Sequence, residues 1–102
     1  NRSRWLLHSA PRGRIVVDEG AIAAMQKHNS LLPTGILAVE GNFEAGEVVL
    51  VNERAKLVSA FSSRELGALI GRHSSEIAGI LGGADERRVI ARPEDTVFLD
   101  ED

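Results

Sequence analysis

The chain has 102 residues, 43% hydrophobic and 26% charged, with a net charge of −3 from 12 basic and 15 acidic side chains. That is the length and usage of one ordinary globular domain, enough for a modest core and short for a complete metabolic enzyme. No apolar run reaches the roughly eighteen residues of a membrane-spanning helix, and the lack of cysteine excludes disulfides, thiol catalysis and thiolate metal sites.

No basic and apolar leader opens the sequence, so a cytoplasmic protein without membrane attachment is expected. The first residue is Asn1 rather than Met, and the expectation is a segment of something longer. Charge is uneven. Arg2, Arg4, Arg12 and Arg14 lead, whereas Glu94, Asp95, Asp100, Glu101 and Asp102 close the chain. A domain built to grip nucleic acid is more often basic overall, so these runs read first as solvated faces or internal ion pairs. Arginine greatly outnumbers lysine, which favours planar bidentate contacts with carboxylate or phosphate.

In chain order, residues 1–13 read as a linker in which Trp5, Leu6 and Leu7 dock on a core and Pro11 ends any helix. The β-branched stretch 14–17 predicts a strand. Asp18 is placed to cap a helix over 21–28, with Ala21, Ile22 and Met25 on one side. Asn29 and Ser30 break it, and residues 31–35, Leu-Leu-Pro-Thr-Gly, form a loop. Strands follow at 36–40 and 48–52, with a glycine-containing turn carrying a buried Phe43 between them. After a tight connection at 52–55, residues 56–61 predict a further strand. Ser62 and Glu65 have capping-box spacing, in which hydroxyl and carboxylate satisfy free amides at a helix start. That helix buries Leu66, Leu69 and Ile70 and ends at Gly71. A second, over 74–83, takes Ser74 as cap and Ile77, Ile80 and Leu81 as its apolar face. Strands at 88–91 and 96–99 flank a turn at 92–95.

The order β, α, β, β, β, α, α, β, β does not suit a regular alternation of strands and helices. It predicts a mixed α/β fold of the α+β kind, mainly β: a small mixed barrel. No phosphate-binding glycine loop precedes a Lys-Ser or Lys-Thr pair. His8, His28 and His73 lack metal-ligand spacing, and His73 with Glu76 reads as local pairing. The serines at 62, 63, 74 and 75 stand where helix caps belong. Asp18 and Glu19 point apart and do not suggest a catalytic carboxylate pair. The residues show no catalytic centre. A binding surface is better supported: Lys27, His28 and Ser30 set polar donors beside an apolar loop whose Leu31 and Leu32 either touch a partner or plug the end of the barrel.

Three stretches, IVVDEGAIAAM (15–25), SLLPTGILAVEGNFEAGEVVLV (30–51) and SSRELGALIGRHSSEIAGILG (62–82), resemble the C-terminal PUA domain of the bacterial glutamate 5-kinases. Residues 2–14 resemble the link that joins this domain to the kinase domain in that family. The connection after residue 52 is shorter than the family usually shows. The resemblance implies a PUA-like pseudobarrel of short strands with flanking helices over 14–102. It implies no cofactor in this segment, with ATP and magnesium held by a kinase domain of the same chain. It also implies a ligand surface at Lys27, His28, Ser30, Leu31, Leu32, Pro33, Gly35 and Arg92, the positions that face RNA in PUA domains that bind it. The expected function is an accessory or regulatory domain without chemistry of its own, serving the first step of proline biosynthesis. The alternatives are an RNA-binding module and a homo-oligomer assembled through an exposed strand edge at 56–61.

Overall fold

The computed structural model describes residues 2–99, with Arg2 and Ser3 described in backbone only. Arg2's side chain and the acidic residues Asp100, Glu101 and Asp102 of the charge pattern lie outside the described residues. The elements are α1 (Arg2–His8), β1 (Gly13–Val17), α2 (Glu19–Gln26), β2 (Ile36–Gly41), β3 (Val48–Val51), β4 (Ala55–Val58), α3 (Ser63–Leu69), α4 (Ile77–Leu81) and β5 (Thr96–Phe98). Single 3-10 turns occupy Pro33–Gly35, Ser74–Glu76 and Pro93–Asp95. The strands form one sheet in the order β2-β1-β3-β4-β5. Only β1 and β3 run parallel, and the other pairs are antiparallel. This is the mainly β, mixed architecture that the sequence predicts.

Side-chain alternation sorts the sheet into two faces. Ile15 and Val17 point inward from β1, as do Val49 and Val51 from β3, Ala55 and Leu57 from β4, and Phe98 from β5. Ile22 and Met25 of α2, Leu66 and Leu69 of α3, Ile77 of α4, and Phe43, Phe61 and Ile90 complete this core. The domain closes its interior with its own side chains, the mark of a unit that folds alone. The opposite face carries Arg14, Leu50, Lys56 and Val97, aligned by register. There α1 lies over β4 and β5. Leu6 is buried beneath the helix. The Lys56 ammonium donates to the carbonyls of Leu7 at 2.8 Å and Ser9 at 2.7 Å, satisfying acceptors that a helix end leaves open.

The linker expected over 1–13 therefore contains a docked helix, and only Leu6 of its three large apolar residues is buried. Trp5 and Leu7 stand out into solvent, because a single turn cannot bring three consecutive positions to one face. Helix α2 begins and ends two residues before the expected span of 21–28. The Asp18 carboxylate accepts from the Ala21 amide at 2.7 Å, and His28 beyond the helix takes a φ of 66°.

Further expectations are corrected. The strand expected over 56–61 stops at Val58, because Ser59 turns its hydroxyl onto the Phe61 carbonyl at 2.7 Å and bends the chain. Moreover, β4 lies between β3 and β5, so its backbone is paired on both sides and the proposed edge for self-association does not exist. The strand expected at 88–91 is an extended segment making one isolated bridge, Leu31 with Ala91. The helix expected over 74–83 is a 3-10 turn followed by the five-residue α4. Ser74 is not its cap; the Glu76 carboxylate reaches back to the His73 amide at 3.3 Å.

The short connection after residue 52 is closed by Asn52 and Glu53, both in left-handed geometry with φ of 50° and 56°, the backbone that a tight hairpin demands. Asn52 also extends the sheet. Its side-chain oxygen accepts from the Val17 amide at 2.8 Å and its side-chain nitrogen donates to the Val17 carbonyl at 2.9 Å. The carboxamide thus substitutes for a peptide group beyond the last β1–β3 backbone pair. Asn52→Ala is expected to cost about 2–3 kcal/mol, since it strands both Val17 groups and puts alanine in left-handed backbone. Asn52→Gly relieves the second effect only and should fall between, as read from urea denaturation midpoints.

Candidate functional site

Two segments of like geometry build the candidate surface. Leu31 and Ala91 form the bridge, each is followed two residues later by a proline opening a 3-10 turn, and each turn leads into a strand, β2 or β5. Proline suits that first position because it has no amide hydrogen to satisfy. The bridge is held by the Leu31 amide on the Ala91 carbonyl at 2.9 Å and the Ile90 amide on the Leu31 carbonyl at 2.8 Å. It brings Ser30 and Arg92 alongside each other in antiparallel register.

The site residues expected from sequence separate around this bridge. Leu31 and Pro33 are buried, so both serve the core, and of the two leucines only Leu32 presents its side chain to solvent. Ser30, Leu31, Leu32 and Gly35 line a cleft of about 390 Å³ together with Asp18 and Thr34. Gly35 lets the loop pack on α2, since a Cβ there would stand 2.6 Å from the Ala21 Cβ. His28 faces a different depression of about 330 Å³, with Met25, Pro93 and Val97. Lys27 is exposed at the C-terminal end of α2, the opposite end from Asp18. Arg92 lines a third groove of about 450 Å³ with Arg87 and Arg88.

Beside the bridge, the arginine faces acids of its own turn. Arg92 lies 3.8 Å from Glu94 and 3.7 Å from Asp95. In the first cleft, the Asp18 carboxylate already accepts from the Ala21 amide and sets a negative charge at the start of α2. Among the described residues no cluster of three His, Asp or Glu side chains is arranged to hold a metal ion.

One group that the sequence reading did not single out organises the neighbouring end of the fold. The Arg87 guanidinium donates to Asp85 at 2.6 Å and 3.0 Å, to Glu65 at 2.9 Å and 3.2 Å, and to the Ala60 carbonyl at 2.6 Å. It also lies 4.2 Å from the centre of the Phe61 ring. The Glu65 carboxylate has a second duty, accepting from the Ser62 amide at 2.9 Å, while Ser62 accepts from the Glu65 amide at 3.1 Å. The capping box read from sequence is therefore wired to Arg87. The available signal was the excess of arginine over lysine, which indicates bidentate carboxylate contacts without saying which arginine makes them.

Hydrogen bonds from Arg87 hold the Asp85 carboxyl down at about 2 and hold Glu65 below its usual range. The pairs contribute stability that is fully present above the ordinary carboxylate range. It is lost as pH falls through that range toward about 2, because the unfolded chain then binds protons that the folded one refuses.

Five strands in this order, closed by helices and by one bridge, define a PUA-type domain. A crystal structure of a PUA domain from Aeropyrum pernix K1, in complex with tartrate, shares the fold with a TM-score of 0.57 at 24% identity, covering 88% of this chain and 45% of that one. The family model described as PUA domain matches residues 13–81, and the chain belongs to that family. It is also 46% identical over 88 residues to glutamate 5-kinase from Escherichia coli O1:K1 / APEC and from Salmonella paratyphi B, and 44% identical to that of Yersinia enterocolitica. The match takes in 80% of this chain but 24% of each relative, in the C-terminal region of the kinase.

Arg87→Met is expected to lower the melting temperature at pH 7 by about 5–10 °C, the range for losing one to two kcal/mol in a domain of this size. It should also flatten the loss of stability on acidification toward about pH 2, followed by thermal denaturation across pH.

Proposed function

We propose that the chain is the accessory, regulatory domain of a glutamate 5-kinase and takes no part in the phosphoryl transfer itself. The observation that carries this reading is the 46% identity confined to 24% of the relative's length. A kinase domain elsewhere in the same polypeptide then holds ATP, magnesium and glutamate and phosphorylates the side-chain carboxylate, the first step of proline biosynthesis, in the cytoplasm. Among the described residues no helix is long and apolar enough to cross a membrane, which accords with this.

The chemistry of the surface supports an accessory role over RNA recognition. Phosphate binding needs cations whose charge is available and whose counterions are released on contact. Arg92 is held by acids of its own turn, and Asp18 faces the adjoining cleft. Single-strand recognition also uses several exposed aromatic faces for stacking; here Phe43, Phe61 and Phe98 are buried and Trp5 alone of the four aromatic residues is exposed.

The test compares the full polypeptide with residues 1–102 for ATP-dependent phosphorylation of glutamate, read as ADP release. Activity is expected in the full polypeptide and none in residues 1–102. Phosphorylation by residues 1–102 alone would overturn the reading, as would a full polypeptide inert toward glutamate.

A further inference from the structure

Helix α1 is fixed in place and yet half unused. Leu6 anchors it to the outer face of the sheet with 1% exposure, while Trp5 keeps 55% exposure on one flank and Leu7 40% on the other. Trp5 is the chain's only tryptophan, and leaving this much aromatic surface in water forfeits a large part of what its burial would gain. The flank is shaped as well as apolar. Arg4, Trp5, His8 and Ser9 surround a shallow groove of about 420 Å³. The Ser9 hydroxyl donates to the Trp5 carbonyl at 2.8 Å, holding the last turn. The Lys56 ammonium pins the carbonyls of Leu7 and Ser9 to β4. The groove is therefore presented at a set angle to the sheet.

Two observations say what covers this flank. The PUA family model begins at residue 13, so α1 lies outside the part that defines the family and is an addition to it. The similarity occupies 24% of the glutamate 5-kinases, in their C-terminal region, so the rest of such a polypeptide arrives through α1. A domain that precedes α1 in the chain is therefore joined through the helix that carries this flank.

We propose that the Arg4–Trp5–His8 flank of α1 is the docking surface for the kinase domain of the same polypeptide, with Trp5 as its anchor. The inference rests on the chain being the C-terminal part of a longer kinase. A tryptophan at the centre of a contact, ringed by polar and cationic groups, is the composition of an interface hot spot. The complementary surface is an apolar pocket that takes the indole ring. Lys56 and Leu6 fix α1 to the sheet and Trp5 fixes it to the kinase, so the helix would transmit the orientation of one domain to the other.

Hydroxyl-radical footprinting read by mass spectrometry tests this directly. Trypsin releases residues 5–12 as one peptide, whose tryptophan oxidation is measured in the full polypeptide and in residues 1–102, each normalised to exposed His73. Oxidation of Trp5 is expected to fall about fivefold or more in the full polypeptide, the change from a half-exposed side chain to the desolvated centre of an interface. Equal oxidation in the two would overturn the docking surface. Protection in residues 1–102 that grows with concentration would also overturn it, assigning the flank to a second copy. Glutamate phosphorylation assayed on the same full-length sample separates the two levels. Activity with an unprotected Trp5 removes the docking surface alone, whereas no activity removes the kinase reading.

Discussion

The contacts of the Arg87 guanidinium are the constraint on which the rest of the fold depends. One side chain joins the start of α3 through Glu65, the bend after β4 through the Ala60 carbonyl and the Phe61 ring, and its own segment through Asp85. Residues 84–90 contain no helix or strand, so nothing repetitive in their backbone holds their course. The course is nevertheless exact enough for the Ala60 amide to meet the Ile90 carbonyl at 2.9 Å and for Ile90 and Ala91 to pair with Leu31. A planar cation with five donors can satisfy three acceptor groups at once, which an ammonium cannot do with fixed geometry. The bridge between Leu31 and Ala91 then sets the 3-10 turns before β2 and β5 against each other, and with them the surface around Ser30 and Arg92.

Much of this was legible in the sequence because it is local. The β-branched run at 14–17, the Asp18 cap and the Ser62–Glu65 capping box each state their structure within four residues, and each forms. The buried Phe43 and the loop proline at 33 followed from the same kind of reasoning. Most of what failed depended on contacts distant in sequence. Residues 88–91 have the composition of a strand, but Ala60 and Leu31 offer them only single pairings. Ser59 ends β4 through a hydroxyl that composition does not place. Arg87 finds Glu65 twenty-two positions away, beyond any spacing rule. The docking of α1 through Leu6 required knowing that Lys56 points outward from the sheet.

The candidate site was legible as a set of positions and not as a surface. Sequence reasoning named residues 27–35 and Arg92, and the structure places Ser30 beside Arg92. It then spreads His28, the 30–35 loop and Arg92 over three depressions and leaves Lys27 exposed at the far end of α2, while the core takes Leu31 and Pro33. Charge was the decisive quantity and was hidden in the same way. The sequence shows how many arginines there are, whereas the fold shows that Arg87 and Arg92 are spent on carboxylates of their own neighbourhood. The carboxylates beside Arg87 and Arg92 and the exposed tryptophan on α1 support the proposed accessory role.

The most direct measurement of that claim is fluorescence anisotropy of a labelled structured RNA, titrated with residues 1–102 at low and at moderate salt. The account predicts no saturable binding at either. Tight binding at low salt that collapses as salt rises, the signature of released counterions, would contradict it and return the surface around Lys27 and Arg92 to nucleic acid.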